Sequence, residues 1–427
     1  RQQHAEVGMV DQRIYRPRLA DRRLRELVQD FPAVLVNGPR AAGKTTTARQ
    51  ICRDMVSLDR PAHAVAFRAD PDAALRKLDE PALIDEWQEV PQVLGAVKRA
   101  VDANSRPGRF VLTGSVRGDP EQQMWPGTGR LVRIPMYGFT EREVLGAVDH
   151  TRPAFLDRIA TGDPEEIALP SSVPDLAGYI DLALRGGFPD LVFRDYAEDS
   201  RRTWLEGYLE QLLTRDVATF EQAPREPEKL RRYFEAIALN TAGMPSGKSL
   251  YEAAGVNART AASYDSLLTS LFVLERVPAW STNRISRLVK TPKIYIVESG
   301  LVGSSIGLST RTVLSDGDLL GRMIDNFVLA QLRPEAALSV RRHRFYHLRT
   351  QGGRQEVDLL VELDAGKVLG IEIKASSAPS RHDAAHLCWL RDELGDRFVA
   401  GAVLHTGPAV YPLDSKILAV PICAIWG

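Results

Sequence analysis

The sequence predicts an α/β chain that opens with a parallel sheet covered by helices on both faces, and three segments carry that prediction. Residues 33–36, Ala-Val-Leu-Val, are an apolar run of strand type; Gly38-Pro39-Arg40-Ala41-Ala42-Gly43-Lys44-Thr45 follows, then a helix-like stretch over residues 45–51. A second apolar run, residues 82–84, ends in Asp85 and Glu86, and a third, residues 110–112, ends in Thr113, Gly114 and Ser115. Residues 71–78 and 90–104 read as helices between them. Strands that alternate with helices lie parallel, and their ligands collect beyond the carboxyl ends.

The first loop fits the pattern G-x-x-x-x-G-K-[ST]. Its glycines let backbone N–H groups point inward at a β-phosphate, and the following helix adds its positive end. Lys44 is expected to reach the β- and γ-phosphates, and the Thr45 hydroxyl to ligand Mg²⁺. Asp85 is placed to hold Mg²⁺ through water, Glu86 to act as general base on the attacking water, and Ser115 to sense the γ-phosphate. ATP or GTP with Mg²⁺ is therefore the expected ligand. A second glycine-lysine-serine stretch, residues 243–249, has one residue too few between its glycines and no strand before it; Ser249 to Glu252 reads better as a capping box opening a helix.

Composition sets broader bounds. The 427 residues, 44% hydrophobic, suffice for two to four domains. Basic and acidic residues balance at 55 each, so net charge neither predicts nor excludes a nucleic-acid partner, and local patches must decide. Cys52, Cys388 and Cys423 are too far apart for a metal knuckle or a disulfide framework, which suits a reducing cytoplasm. No apolar run approaches the ~20 residues of a membrane span, so no membrane partner is expected.

The segments V-N-G-P-R-A-A-G-K-T-T (ending at Thr46), L-I-D-E-W-Q, F-V-L-T-G-S and T-G-R-L-V-R-I-P-M together resemble prokaryotic AAA-type ATPases that carry a C-terminal domain of unknown function with a nuclease-like tail. The resemblance spans most of the chain. It implies ATP rather than GTP, a homo-oligomer, and a catalytic role for Arg130 in cis or across a subunit interface, where a guanidinium would neutralise charge in phosphoryl transfer.

The expected domains are a P-loop core over residues 10–148, a linker and helical connecting bundle over 149–228, a winged helix-turn-helix over 229–300 and a restriction-endonuclease-like α/β domain over 301–427. Residues 149–175, rich in Pro, Gly, Ser and Asp, read as a linker or lobe boundary. Trp204, Tyr208 and Leu212, at i, i+4 and i+8, form a packing stripe. Residues 230–277 give helix, short helix, a glycine turn, a helix capped by Asn257 and a strand, the order of a winged helix-turn-helix. Its second helix offers only Arg259 among Thr260, Ser263, Asp265 and Ser266, a weak phosphate grip; Arg284, Arg287 and Lys290 could add to it.

In the last third, residues 355–362 and 369–374 read as two strands joined at Asp364 to Gly366. Glu372 and Lys374, two apart, face the same way, and Asp358 on the partner strand can meet them. Together they form the D…E-x-K arrangement of restriction-endonuclease-like nucleases, in which the acids bind Mg²⁺ and the lysine stabilises phosphate charge. Such folds take a further acid from a preceding helix. The resembling family has a glutamate where this chain has Asp325, one methylene shorter. Arg341 to His347, basic and aromatic, suit a phosphate-binding rim. His382 and His386 imitate a zinc-protease spacing without its glutamate or a third ligand. The resulting expectation is a cytoplasmic Mg²⁺-dependent ATPase acting on DNA. A nucleotide-switched scaffold and an ATP-dependent nuclease are the alternatives.

Overall fold

A computed structural model describes residues 15–116, 129–149, 151–216, 226–282, 291–339 and 341–427. The first domain is built on five parallel strands, β1 (Ala33–Asn37), β2 (Asp54–Ser57), β3 (Ala82–Asp85), β4 (Phe110–Gly114) and β5 (Leu131–Pro135), in the order β2-β3-β4-β1-β5. The central strands β1, β3 and β4 are buried along their whole length, which explains their unbroken apolar runs. Helices such as Val93–Ala103 and Ala20–Asp30 supply apolar faces to two separate cores, one on each side of the sheet. Inserting β4 between β1 and β3 leaves the loop after β1 and the acids after β3 flanking one crevice at the carboxyl edge.

The segment expected as a linker is not a free one. Helix Phe155–Ile159 buries Phe155, Leu156 and Ile159 in the core shared by the later domains, and Arg158 donates 2.9 Å to the Ala424 carbonyl. Beyond that helix, residues 161–175 are mostly exposed, with Ile167 buried among them. Leu212 is buried beneath the bundle, while Trp204 and Tyr208 stack 5.6 Å apart and lean on Phe188.

Helices Pro227–Leu239, Gly247–Ala253 and Ala258–Ser270 precede the antiparallel pair β6 (Leu274–Val277) and β7 (Lys293–Ile296). Asn257 caps the third helix by accepting from the Thr260 N–H. The expected cap on the second is corrected by three residues: Ser246, not Ser249, is the N-cap, and Ser249 is the N3 residue whose N–H it accepts. Arg284, Arg287 and Lys290 lie outside the described residues.

The last domain runs from helix Gly317–Glu335 through β8 (Arg344–Arg349), β9 (Glu356–Glu362), β10 (Val368–Ile373), helix Ala385–Leu394, β11 (Phe398–His405), β12 (Tyr411–Asp414) and β13 (Ile417–Pro421). Strands β8, β9 and β10 are successively antiparallel, and β11 lies parallel to β10. Its long helix is bolted to the first domain: the Glu141 N–H donates 2.8 Å to Gln331, and Arg142 pairs in a fork with Glu335, both 1% exposed. No helix among the described residues is long and apolar enough to cross a membrane.

Candidate functional site

The loop after β1 is shaped by backbone requirements that its glycines meet. A Cβ on Gly38 would collide with the Met136 carbonyl oxygen, and Gly43 has φ 92°, in the left-handed region. Helix Lys44–Arg49 starts at once, so its first N–H groups face the crevice. Gly38, Pro39, Arg40, Ala41, Ala42, Gly43, Lys44, Thr45 and Thr46 thus form one strand-loop-helix turn, as the motif requires.

Lys44 is 4% exposed, and its ammonium donates to the Gly38 and Pro39 carbonyls at 3.1 and 2.6 Å. Burial pulls its pKa down to about 8, against the opposing pull of Glu86 and Asp85. The Thr45 hydroxyl donates 2.6 Å to Asp85 Oδ1, the Thr113 hydroxyl donates to the same oxygen, and the Ser57 hydroxyl donates 3.3 Å to Oδ2. Thr45 and Asp85, expected to share Mg²⁺, therefore meet directly. Donors on both oxygens fix the carboxylate, as a carboxylate that orients a cation requires.

Glu86 leaves β3 with φ 52°, a left-handed conformation that turns its side chain back toward the crevice. Burial raises its pKa, Lys44 opposing. Gln88, which the sequence reading passed over, donates one N–H to Glu86 and another 3.3 Å to the Ser115 hydroxyl, tying the acid after β3 to the hydroxyl after β4. Its signal was present in the D-E-W-Q run.

Arg130 is placed elsewhere. Leu131 pairs with Ala33 at the amino end of β1, whereas the phosphate loop follows Asn37 at the carboxyl end, roughly 16 Å away at ~3.3 Å per residue. Arg130 pairs there with Asp102, half exposed. A role for Arg130 at its own subunit's loop is thereby removed, because a parallel strand carries its two ends to opposite edges.

Another arginine, Arg18, supports the loop from behind. Its guanidinium donates 2.9 Å to the Ala42 carbonyl and 2.8 and 3.1 Å to those of Tyr137 and Gly138, and pairs at 2.9 Å with buried Glu143. Nothing in its sequence neighbourhood signals this, since all its partners come from distant turns.

In the tail the four expected residues converge. The Lys374 ammonium donates 3.0 Å to Glu372 Oε2, and Asp358 Oδ2 accepts from the Ile373 N–H at 3.0 Å. Asp325 is close enough that Asp358, after burial itself, helps push its pKa well up. Burial likewise drives Glu372 up. Lys293, which the sequence reading missed, reaches in from β7, 3.2 Å from Asp358 Oδ1 and 3.8 Å from Glu356. Burial opposes ionisation of Asp358, yet Lys293, Lys374 and the Ile373 N–H outweigh it and hold the carboxyl low. Among the described residues no group of three or more acids, histidines or cysteines is arranged to hold a metal. His386 is hydrogen-bonded to Gln355 at 2.6 Å.

Three stretches of the chain match known protein families. Residues 30–145 match an AAA domain family, residues 176–312 a domain of unknown function (DUF8612), and residues 320–425 another (DUF4143). Uncharacterized proteins of Mycobacterium tuberculosis and Mycobacterium bovis are each 31% identical over 405 residues, 93% of this chain and 82% of theirs. The chain belongs to the prokaryotic AAA-type P-loop ATPase family with the C-terminal DUF4143 domain. A Walker-type ATPase of Pyrococcus abyssi is similar at 15% identity and a TM-score of 0.41, covering 67% of this chain and 94% of that one. Within this P-loop ATPase the AAA match spans both the phosphate loop and the Asp85–Glu86 pair.

Proposed function

We propose that this protein hydrolyses ATP with Mg²⁺ and acts on DNA. The observation that carries the hydrolytic half is the meeting of Thr45 with Asp85, with Glu86 on the next residue facing the same crevice. Lys44 exchanges its loop carbonyls for β- and γ-phosphate oxygens, Thr45 and Asp85 are the residues that would hold Mg²⁺, and Glu86 takes the proton of the attacking water. Mg²⁺, when bound there, would supply charge neutralisation. Gln88 orients Glu86, and Ser115, which it also holds, is the residue assigned to sense the γ-phosphate. In a homo-oligomer Arg130 is presented to a neighbouring subunit's site.

The DNA half is supported by two modules. The three helices with β6 and β7 have the order of a winged helix-turn-helix, and the tail's helix, three antiparallel strands, helix and parallel strand have the order of the restriction-endonuclease-like core. Glu372 Oε1, buried without a hydrogen-bond partner, fits a cation, but Lys293 already neutralises Asp358. The cluster of Asp325, Asp358, Glu372 and Lys374 is thereby closed by its own lysines rather than set for cleavage, and grip on DNA falls to the surfaces around it. ATP turnover measured against single-stranded, duplex and branched DNA, with a gel for strand integrity, tests the reading. Turnover indifferent to every DNA, with no complex at low salt, rejects it.

A nucleotide-switched scaffold is the second reading, favoured by one connection. Glu298 accepts from the Gly187 N–H at 2.9 Å and lies against Gly138, whose carbonyl Arg18 holds together with that of Ala42 in the phosphate loop. The loop is thus linked through two side chains to the bundle and the segment after β7. Nucleotide-dependent assembly with slow turnover unaffected by DNA would select this reading over the first.

A further inference from the structure

Strand β5 is the edge of the ATPase sheet, and no backbone hydrogen bond among the described residues leaves it on the side away from β1. That side opens onto two adjoining cavities, of about 500 and 470 Å³, which share Arg133, Pro135, Tyr137 and Glu275 as lining. Each falls within the ~300–1,000 Å³ of a ligand pocket. The first extends to His343 and Phe345 beside β8, the edge strand of the tail sheet; the second extends to Asn37, the residue before the phosphate loop, and to Thr269 at the end of the third winged-helix helix.

Charge in this cleft is uneven. Arg18 and Arg333 are matched by Glu143 and Glu275. Arg133 is exposed on β5, and its side chain makes no hydrogen bond or ion pair with a described residue; the same holds for exposed Arg341, Arg342 and Arg344 at the β8 rim. Unmatched guanidinium groups along an apolar wall with an aromatic ring are what a single nucleic-acid strand requires: cations for phosphates, flat surfaces for bases. A duplex is too wide for cavities of this size.

We propose that the cleft between β5 and β8 is a track for single-stranded nucleic acid, with Arg133 as its central phosphate contact and Phe345 as a stacking surface. The track rests on the DNA reading above and adds where the strand lies: past the ATPase sheet edge, one residue from the phosphate loop, so that strand binding and nucleotide binding share Asn37 as a neighbour.

Fluorescence anisotropy of labelled oligo(dT) of twenty nucleotides, titrated with the full-length protein between 50 and 200 mM salt, tests it. Arg133→Glu is expected to weaken binding about tenfold at the lowest salt and to reduce the slope of log K against log salt by about 0.7, the value for one lost single-strand contact. Arg25→Glu, the same charge change on an exposed site outside the cleft, is expected to bind as the parent does. If Arg133→Glu matched the parent while Arg259→Glu on the winged helix lost binding, the track would be wrong and the DNA reading would stand. A parent that binds duplex but not oligo(dT) overturns the track alone; one that binds neither overturns both.

Discussion

The nucleotide crevice and the tail cluster each set lysines among carboxylates, yet they treat those lysines in opposite ways. Lys44 touches only carbonyl oxygens, with Asp85 and Glu86 near but not in contact, and burial lowers its pKa to about 8. Burial also works against Lys293 and Lys374, but each has a carboxylate at about 3 Å, and the pairing outweighs burial and raises both. An undercompensated buried cation is a site that gains by taking up an anion; a compensated one has already done so from its own chain. The contrast separates a pocket prepared for phosphate from a cluster closed on itself.

The comparison breaks most visibly at Glu86. Glu86→Gln should lower the ATP turnover number by about 10²–10⁴-fold while nucleotide affinity stays near the parent value, because only proton removal is lost; the corresponding tail change, Glu372→Gln, should leave turnover unaltered in the same steady-state assay. Next in size, Lys293→Met should destabilise the fold by about 3 kcal/mol in urea denaturation, since Asp358 loses its nearest cation and keeps only Lys374 and the Ile373 N–H. Lys44→Ala should weaken nucleotide binding on the order of 100-fold, the worth of about 3 kcal/mol of charge-assisted hydrogen bonding, as read by fluorescent-nucleotide titration.

A pH series sharpens the contrast. Phosphate binding favours the charged Lys44, so above about pH 8 binding takes up a proton and affinity should fall by up to about tenfold per pH unit. The Lys293–Asp358 pair has its lysine raised above 10.5, so its stabilisation is complete below that value and is lost only as pH rises beyond it. Calorimetric titrations from pH 7 to 9.5 should therefore move nucleotide affinity without moving the melting temperature through this pair. Smallest of all, Arg130→Ala removes a half-exposed ion pair and should change stability by under about 1 kcal/mol.

Legibility in the sequence followed how locally each group is held. The phosphate loop is eight consecutive residues whose glycines, lysine and threonine each answer a backbone or charge requirement within that stretch, and Asp85 and Glu86 announce themselves by ending an apolar strand. Asp358, Glu372 and Lys374 were also readable, because a hairpin with period-two alternation brings them to one face. For Arg130 the sequence left open whether it serves its own subunit or a neighbour's, because a motif gives position along the chain but not which end of a strand faces the ligand; that depends on strand direction within the assembled sheet. Residues 149–175, read as a linker or lobe boundary from Pro, Gly, Ser and Asp, are mostly exposed beyond residue 160, while the anchor at Phe155–Ile159 depends on packing partners far away in the sequence.

What the sequence determined by itself is the chemistry that short-range geometry dictates: a phosphate-holding turn, a carboxylate pair at a strand end, a hairpin with two acids and a lysine. What only the tertiary structure decided is how charges from separate elements compensate one another. Lys293 reaches Asp358 across sixty-five positions, Arg18 reaches Ala42 and Gly138 from a turn before the first described helix, and Arg133 on the edge strand finds no partner among the described residues. The reason is physical: backbone demands are local and are written in neighbouring residues, whereas electrostatic energy depends on distance in space, which the folded chain alone sets.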